Sequence, residues 1–564
     1  MADDFSPVPL KPSLRKRFYA PVILLRCLSD IFAIDNSTEI PEQETVVPRS
    51  PKQIFYCFVN KLGQICDNKK GGDTVTAFAV LQPGVVEYRF ASNRRSRESL
   101  ENVHIYITSI LETLGKTSDS EISKADYQSL LFEKILRTVL GFNRQRVELY
   151  ARTLAGELDF CIQNSAIQES AEGDAASKDL QALKPLTVFA TQKPKVSKEE
   201  FIGESVVLLR AIHDRYPHGG SLEQFIRTKS HKDRTGPGKT PWAEADHALG
   251  RLHSYFVGIK ILITARERWP ILFEDFKVVA VRSSEPDRKP PAIPKSAEKI
   301  IQRMTSQRAE IDAYRGRASN LQQWKLDERI KDKAEGRFAP IVHAELLLLD
   351  SILRSEQANL GNEEDTPRFY NEAEFDRYIG CSKPTCRLCS LYIEEHRKQY
   401  PGGVHVRSSH QNLYPNWRAP DVYVSDGLEA EYRRNSVLEQ VVKGVRSLTF
   451  NAIKERSVLR NPFDSNNTPS DPTRTTNHGA SMIAIDGSAM EQERDGNDII
   501  SRMSLLDIGS DRGDRNSSRG TAPRFPHERH QAVYREVLGA QIGGRQGGRN
   551  GHGQDDDEEG GAIL

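Results

Sequence analysis

Two stretches decide how this chain is read: Ala339-Pro340-Ile341-Val342-His343-Ala344-Glu345 and Ile379-Gly380-Cys381-Ser382-Lys383-Pro384-Thr385-Cys386-Arg387-Leu388-Cys389. In mid-helix, residues two apart point roughly 200° from each other at about 3.6 residues per turn. His343 and Glu345 therefore converge on one point only at a helix start, and Ala339-Pro340 just before them sets one there. Cys386 and Cys389 are three apart and share one side of a first helical turn. A helix N-terminus and a bound metal each lower a thiol pKa, which favours the ligating thiolate. Zinc-assisted hydrolysis needs three protein ligands, an open position and a nearby proton carrier. His343, Cys386 and Cys389 are candidates for the ligands, and Glu345 for the carrier. Cys381 supplies a rival reading, as fourth ligand of a closed Cys3His structural site.

Working outward, residues 340–450 alternate element types. Val342–Arg354 reads as a buried helix, Tyr378–Cys381 as a strand and Cys386–Tyr400 as a helix. Val404–Ser408 and Val422–Val424 are strand candidates, and Leu428–Arg456 is a helix. Far upstream, Ser50-Pro51 is an N-cap followed by Pro at the first helical position, with Ile54, Phe55, Phe58, Val59, Leu62 and Ile65 at helical spacing. Thr74–Leu81 and Val85–Ala91 flank Gln82-Pro83-Gly84 as a β-hairpin. The first of these strands is apolar on both faces, which suits a sheet covered by helices on each side. The hairpin is therefore expected in the same sheet as Tyr378–Cys381. Residues 97–335 read as helical, and an apolar helix candidate lies at Tyr19–Phe32.

The chain has 564 residues, of which 37% are hydrophobic, so part of it is expected to stay outside any core. Lys plus Arg total 79 against 78 for Asp plus Glu, and a net charge of +1 gives no global case for a nucleic-acid binder. No apolar run approaches the roughly 18 residues a membrane helix needs. Met1-Ala-Asp-Asp opens no basic segment leading into an apolar one, so an intracellular protein, cytoplasmic or nuclear and not secreted, is expected. Seven cysteines in a chain this long are not a disulfide scaffold.

H-x-E followed by P-C-x-x-C resembles the signature of zinc-dependent nucleobase deaminases. The segments Ile379–Tyr392 and Arg407-Ser-Ser-His-Gln-Asn-Leu-Tyr-Pro-Asn-Trp417 are similar to the fungal branch of the nucleic-acid deaminase-like proteins, within the cytidine deaminase-like superfamily. The resemblance covers residues 340–420 and departs once, where Thr385 separates Pro384 from Cys386. It implies that His343, Cys386 and Cys389 bind Zn2+. It also implies that Glu345 is not a ligand but carries a proton from the attacking water to the ring nitrogen and leaving amine. The substrate would be a nucleobase, free or within RNA or single-stranded DNA. Asn93, His410 and Trp417 are candidate substrate contacts, with loop packing as the alternative for the last two.

The family's helix–strand–strand start is visible at 51–92 and not just upstream of His343. The expected fold is α/β: a cytidine-deaminase-like three-layer core, a mixed sheet flanked by helices, with a large all-helical elaboration and a disordered C-terminal tail. The divisions are an N-terminal extension 1–50, core 51–96, helical insertion 97–335, core 336–456 and tail 457–564. The rival function is a catalytically silent deaminase-fold module, with a structural zinc site, that serves in binding or assembly. Gly238-Lys239-Thr240 lacks the preceding Gly and strand of a phosphate loop, and His247 and His253 read as non-ligands. Arg545 and Arg549 read as a solvated tail.

Overall fold

The computed structural model describes residues 7–32, 34–35, 50–117, 125–166, 170–192, 195–217, 219–232, 240–287, 291–336, 338–359, 366–400, 403–455 and 458–459. The tail expected beyond 457, the Gly238-Lys239 pair and the arginines at 545 and 549 lie outside these residues, apart from the pair 458–459. Helix α1 is Pro12–Ile31 and α2 is Pro51–Cys66. Ser50 caps α2 in a full capping box with Gln53, and Pro51 occupies its first turn, as the sequence requires.

The hairpin is β1 (Thr76–Gln82) and β2 (Val86–Ser92), paired from Thr76↔Ser92 to Leu81↔Glu87. β1 pairs on its other side with Tyr378–Cys381 in antiparallel register, Ala77↔Cys381 and Phe78↔Gly380. The expected union of hairpin and cysteine strand is therefore present. The alternation in β1 explains it. Phe78 and Val80 enter one apolar core with Phe55, Phe58 and Phe90, while Ala77, Ala79 and Leu81 enter a second core with Leu346, Leu349 and Val441. One strand thus needs a helical layer on each face.

The chain then runs through helices α3 (Arg97–Gly115), α4 (Ala125–Phe142), α5 (Arg144–Ala166), α6 (Ala171–Leu183), α7 (Lys198–Arg215), α8 (Ser221–Lys232) and α9 (Pro241–Arg268). The stretch is not all-helical as expected. Strand β3, Phe276–Val281, follows and pairs parallel with β2 from Val86↔Phe276 to Ala91↔Val281. It sits at the sheet edge and is only partly buried, so Phe276-Lys-Val-Val-Ala-Val281 shows no clean apolar stripe. Its partner also lies far back in sequence, because parallel strands need a long crossover.

Three short helices follow, α10 (Ala297–Ile301), α11 (Arg308–Ser319) and α12 (Leu326–Glu335), before α13 (Ala344–Ala358). The rest is β4 (Arg368–Phe369), α14 (Glu372–Phe375), β5 (Tyr378–Cys381), α15 (Arg387–Gln399), β6 (His405–Val406) and α16 (Gly427–Glu455). The sheet order is β3-β2-β1-β5-β6, with β4 also beside β1. α1, α13 and α16 contribute to the second core. Val422–Val424 is not a strand. Tyr423 N–H donates to the Asp426 carboxylate at 2.7 Å, and Val424–Asp426 winds into a 3-10 turn. No described helix is long and apolar enough to cross a membrane.

α2 lies on the sheet at the closest approach its backbone allows. A Cβ on Gly380 would stand 2.7 Å from the Val59 carbonyl carbon, and one on Gly63 2.6 Å from the Thr76 oxygen. Gly380→Ala should destabilise the fold by about 1–3 kcal/mol, since backbone must move. Gly258→Ala in α9 meets only Lys61 Cδ at 3.5 Å. It should be neutral or stabilising by up to about 1 kcal/mol, from helix propensity. Chemical denaturation of the two variants against the parent checks both.

Candidate metal centre

β5 ends at the point where the cysteine loop begins. Cys381 N–H donates to Asn60 Oδ1 at 3.0 Å, Ser382 N–H to the Thr76 carbonyl at 2.9 Å, and Thr76 N–H to Ser382 Oγ at 3.2 Å. Thr385 N–H then donates to the Ser408 carbonyl, and His410 N–H to the Thr385 carbonyl, both at 3.1 Å. Thr385, the extra residue after Pro384, thus prolongs the β5–β6 pairing as an extended bridge. Cys386 still arrives as N-cap of α15, its Sγ accepting the Cys389 N–H at 3.4 Å.

His343 is the N-cap of α13 and carries the first intrahelical bonds, from the Leu346 and Leu347 N–H groups. The preceding strand-like segment is pinned by Ile341 N–H to the Asn416 carbonyl and Arg418 N–H to the Ile341 carbonyl. Asn93, just past β2, accepts the Ala344 N–H at 2.7 Å and donates to the Gly72 carbonyl at 2.9 Å. Its carboxamide therefore holds the start of α13 against the hairpin.

His343 Nδ1 lies 3.4 Å from both Cys386 Sγ and Cys389 Sγ. The three donor atoms all fall within 4.8 Å of one another. Donors around one tetrahedral zinc at about 2.0–2.3 Å stand roughly 3.5–3.8 Å apart. The donor set and its spacing fit zinc. Burial opposes charge on Cys386, but the Cys389 thiol and the His343 imidazolium beside it hold its pKa well below the ordinary thiol range. Burial and the charge on Cys386 push Cys389 up. Burial likewise opposes charge on His343, yet Cys386 and Glu345 hold its pKa above the usual value. A bound cation would displace the proton from His343 and favour the thiolate form of both cysteines, since these ligands bind a metal only when deprotonated.

Glu345 is buried, and burial raises its pKa against the opposing pull of His343. The Cys381 thiol lies beside it and favours its charged form. Burial and the nearby Glu345 keep Cys381 itself well above the ordinary thiol range, so it is protonated here and sits beside the carboxylate, not among the clustered donors. Trp417 is fully buried, with its ring near Phe18 and Tyr392, and its Nε1–H donates to Cys389 Sγ at 3.3 Å. It has no face open to a base, and its N–H is directed at one of the candidate ligand atoms. His410 is also buried, its Nδ1 accepting the Asn412 N–H at 3.0 Å. Its ring faces Tyr414, which in turn faces His343 with ring centroids 6.3 Å apart. Nothing in the spacing of Tyr414 along the sequence separates it from a packed loop residue. His247 packs on Tyr150, and His253 contacts His213.

Residues 342–421 match a family model described as OTT_1508_deam-like deaminase. That span holds His343, Glu345, Cys381, Cys386, Cys389, His410 and Trp417. No curated protein and no solved structure matches the chain.

The indole N–H of Trp417 donates to a candidate ligand atom. Trp417→Phe should weaken zinc affinity by about tenfold or more, the usual effect of losing a ligand's hydrogen-bond partner. Competition with a chromophoric chelator measures it, with thermal melting of the zinc-free form as the control for lost packing.

Proposed function

We propose that this chain is a zinc-dependent hydrolytic deaminase of a nucleobase. The observation that carries the reading is the convergence of His343, Cys386 and Cys389 on one point, with buried Glu345 one helical position beyond Ala344. Zinc bound there would activate water and polarise the carbon it attacks. Glu345, whose pKa is raised by burial, is suited to take a proton at its carboxylate and return it to the ring nitrogen and the leaving amine. The Cys381 thiol lies beside that carboxylate. Asn93 and the Ile341–Arg418 pairing hold the start of α13, so His343 and Glu345 keep their angle to each other. The match to a deaminase family model over the same residues supports the reading. All seven cysteines are unpaired, which suits a reducing, intracellular compartment.

Purified zinc-loaded protein should convert at least one nucleoside, nucleotide, RNA or single-stranded DNA substrate, seen by mass spectrometry as the roughly +1 Da change of amine to carbonyl. Glu345→Gln should reduce the rate by about 10²-fold or more while zinc content stays unchanged. Loss of zinc from that variant would make Glu345 a structural support instead. Full zinc occupancy with no turnover on any of these substrates would leave the fold as a binding module.

A further inference from the structure

A cavity of about 60 Å³ lies between α13, α15, the start of α16 and the segment before it. Asp350 and Arg354 of α13, His396 of α15, Asp426 of the 3-10 turn, and Arg433 and Arg434 of α16 stand in its wall. His396 and Arg434 are each 5% exposed, and Arg433 is half-buried. The polar contacts of these three are incomplete. Arg434 Nη1 donates to the Val8 carbonyl at 2.8 Å and Nε to Asn435 Oδ1 at 3.4 Å, but Nη2 is buried with no hydrogen-bond partner among the described residues. Arg433 Nη2 reaches Glu429 at 3.3 Å, while its buried Nε has no partner there. His396 Nε2 is buried and has none either.

The carboxylates in the wall are already engaged. Arg354 pairs with Asp350 at 2.9 Å and with Asp426 at 2.5 Å. The Glu429 side chain is 61% exposed, so water weakens its pull on Arg433. Arg434 makes no ion pair among the described residues, and burial holds its pKa below the ordinary guanidinium value. A buried guanidinium without a counter-charge is unfavourable, and buried N–H groups without an acceptor are rare. Burial, with Arg433 and Arg377 nearby, brings the pKa of His396 down to about 4, so its ring is neutral at pH 7. A neutral imidazole has one N–H, and Nε2 can carry it. Three side chains thus have an N–H to give, while both carboxylates of the wall are held by Arg354.

The geometry points to a binding site for one small oxyanion, inorganic phosphate or sulfate, held by Arg433, Arg434 and His396. At roughly 10–15 Å³ for each water-sized occupant, the cavity takes about four or five. That matches a tetrahedral oxyanion and excludes a nucleotide. Guanidinium groups fit the oxygens of such ions in both charge and shape. The ion ties His396, late in α15, to the first turns of α16. α15 opens on Cys386 and Cys389, so the ion braces a helix of the metal centre from its far end. Tyr392, also in the cavity wall, has its ring centroid 6.1 Å from that of Trp417, the indole that donates to Cys389. The site is therefore separate from the metal centre but one packed layer away from it.

Calorimetric titration of the full zinc-loaded chain with phosphate, and separately with sulfate, at constant ionic strength tests this. At least one of the two should bind saturably, one ion per chain, with a Kd on the order of 1 mM or below, while chloride gives no saturable heat. Arg433→Gln and Arg434→Met should each weaken that binding by about tenfold or more, the usual effect of losing a charge-assisted contact. Arg433 is half-buried, so its variant decides the matter if Arg434→Met does not fold. Heat that grows with concentration and never saturates, as exclusion of such ions from the protein surface produces, would overturn the site. So would undiminished affinity in Arg433→Gln, which would put the ion at the metal centre instead. A nucleoside 5′-monophosphate that binds through Arg433 as tightly as phosphate would overturn it too, since the cavity cannot hold one. Every metal ligand stays in place in these variants and no turnover is read, so this site and the deaminase reading can fail independently.

Discussion

Ala77 opposite Cys381 and Phe78 opposite Gly380 are two residue pairs, yet the candidate site depends on them. They join segments about 300 residues apart, and the metal centre is hung from both sides of the seam. On the hairpin side, Asn93 holds the first N–H of α13 and so fixes His343 and Glu345. On the β5 side, Ser382 exchanges hydrogen bonds with Thr76 and sets where the cysteine loop departs. A slip of one residue would turn every side chain of β1 to the opposite face and carry the cysteines about 3.4 Å along the strand. The two apolar cores forbid it, because Phe78 and Val80 fill one while Ala77, Ala79 and Leu81 fill the other. Hydrophobic sorting in a strand thereby becomes ångström-level placement of cysteine sulfurs.

Two helix starts then do the local chemistry. His343 and Cys386 are both N-caps, positions where the backbone is extended and the side chain swings across the first turn. That geometry lets His343 and Glu345, two residues apart, address one pocket, and it lets the Cys386 sulfur accept the Cys389 N–H. Support comes from groups with no part in the motif. Trp417 donates to one sulfur, and the Cys381 thiol lies beside the carboxylate. Trp417 is buried, so its hydrogen bond is made in a medium that strengthens it and penalises its loss.

The long helical stretch is tied to the sheet at both ends and in the middle. β3 returns it to the edge of β2, and Arg146 and Arg251 reach back from α5 and α9 to the neighbourhood of Asp67. Asp67 in turn touches Thr74 at the start of the hairpin and Ser382 after β5. One buried carboxylate thus connects helices, hairpin and cysteine loop. Such a group is tolerated in the interior only because Arg146 and two hydroxyls satisfy it.

Much of this was legible from residues alone. The spacing of His343, Glu345, Cys386 and Cys389 implies convergence because helix geometry leaves few other ways to use it. The two-faced apolar pattern of residues 74–81 demands helices on both sides of the sheet, whichever strands flank it. β3 was not legible. An edge strand, half-exposed and parallel to a partner some 190 residues earlier, carries no local periodicity that marks it (Ser283 Oγ bonds the Ser92 carbonyl at the end of that pairing). Nor were the supporting parts of Asn93, Cys381 and Trp417 legible, since an Asn after a strand, a buried Cys and a buried Trp are ordinary core residues until their partners are known. Sequence determines what lies within a few turns along the chain, where covalent spacing fixes direction. Which distant donor meets which acceptor is decided only when the sheet closes, because burial and register, not spacing, bring them within hydrogen-bond reach.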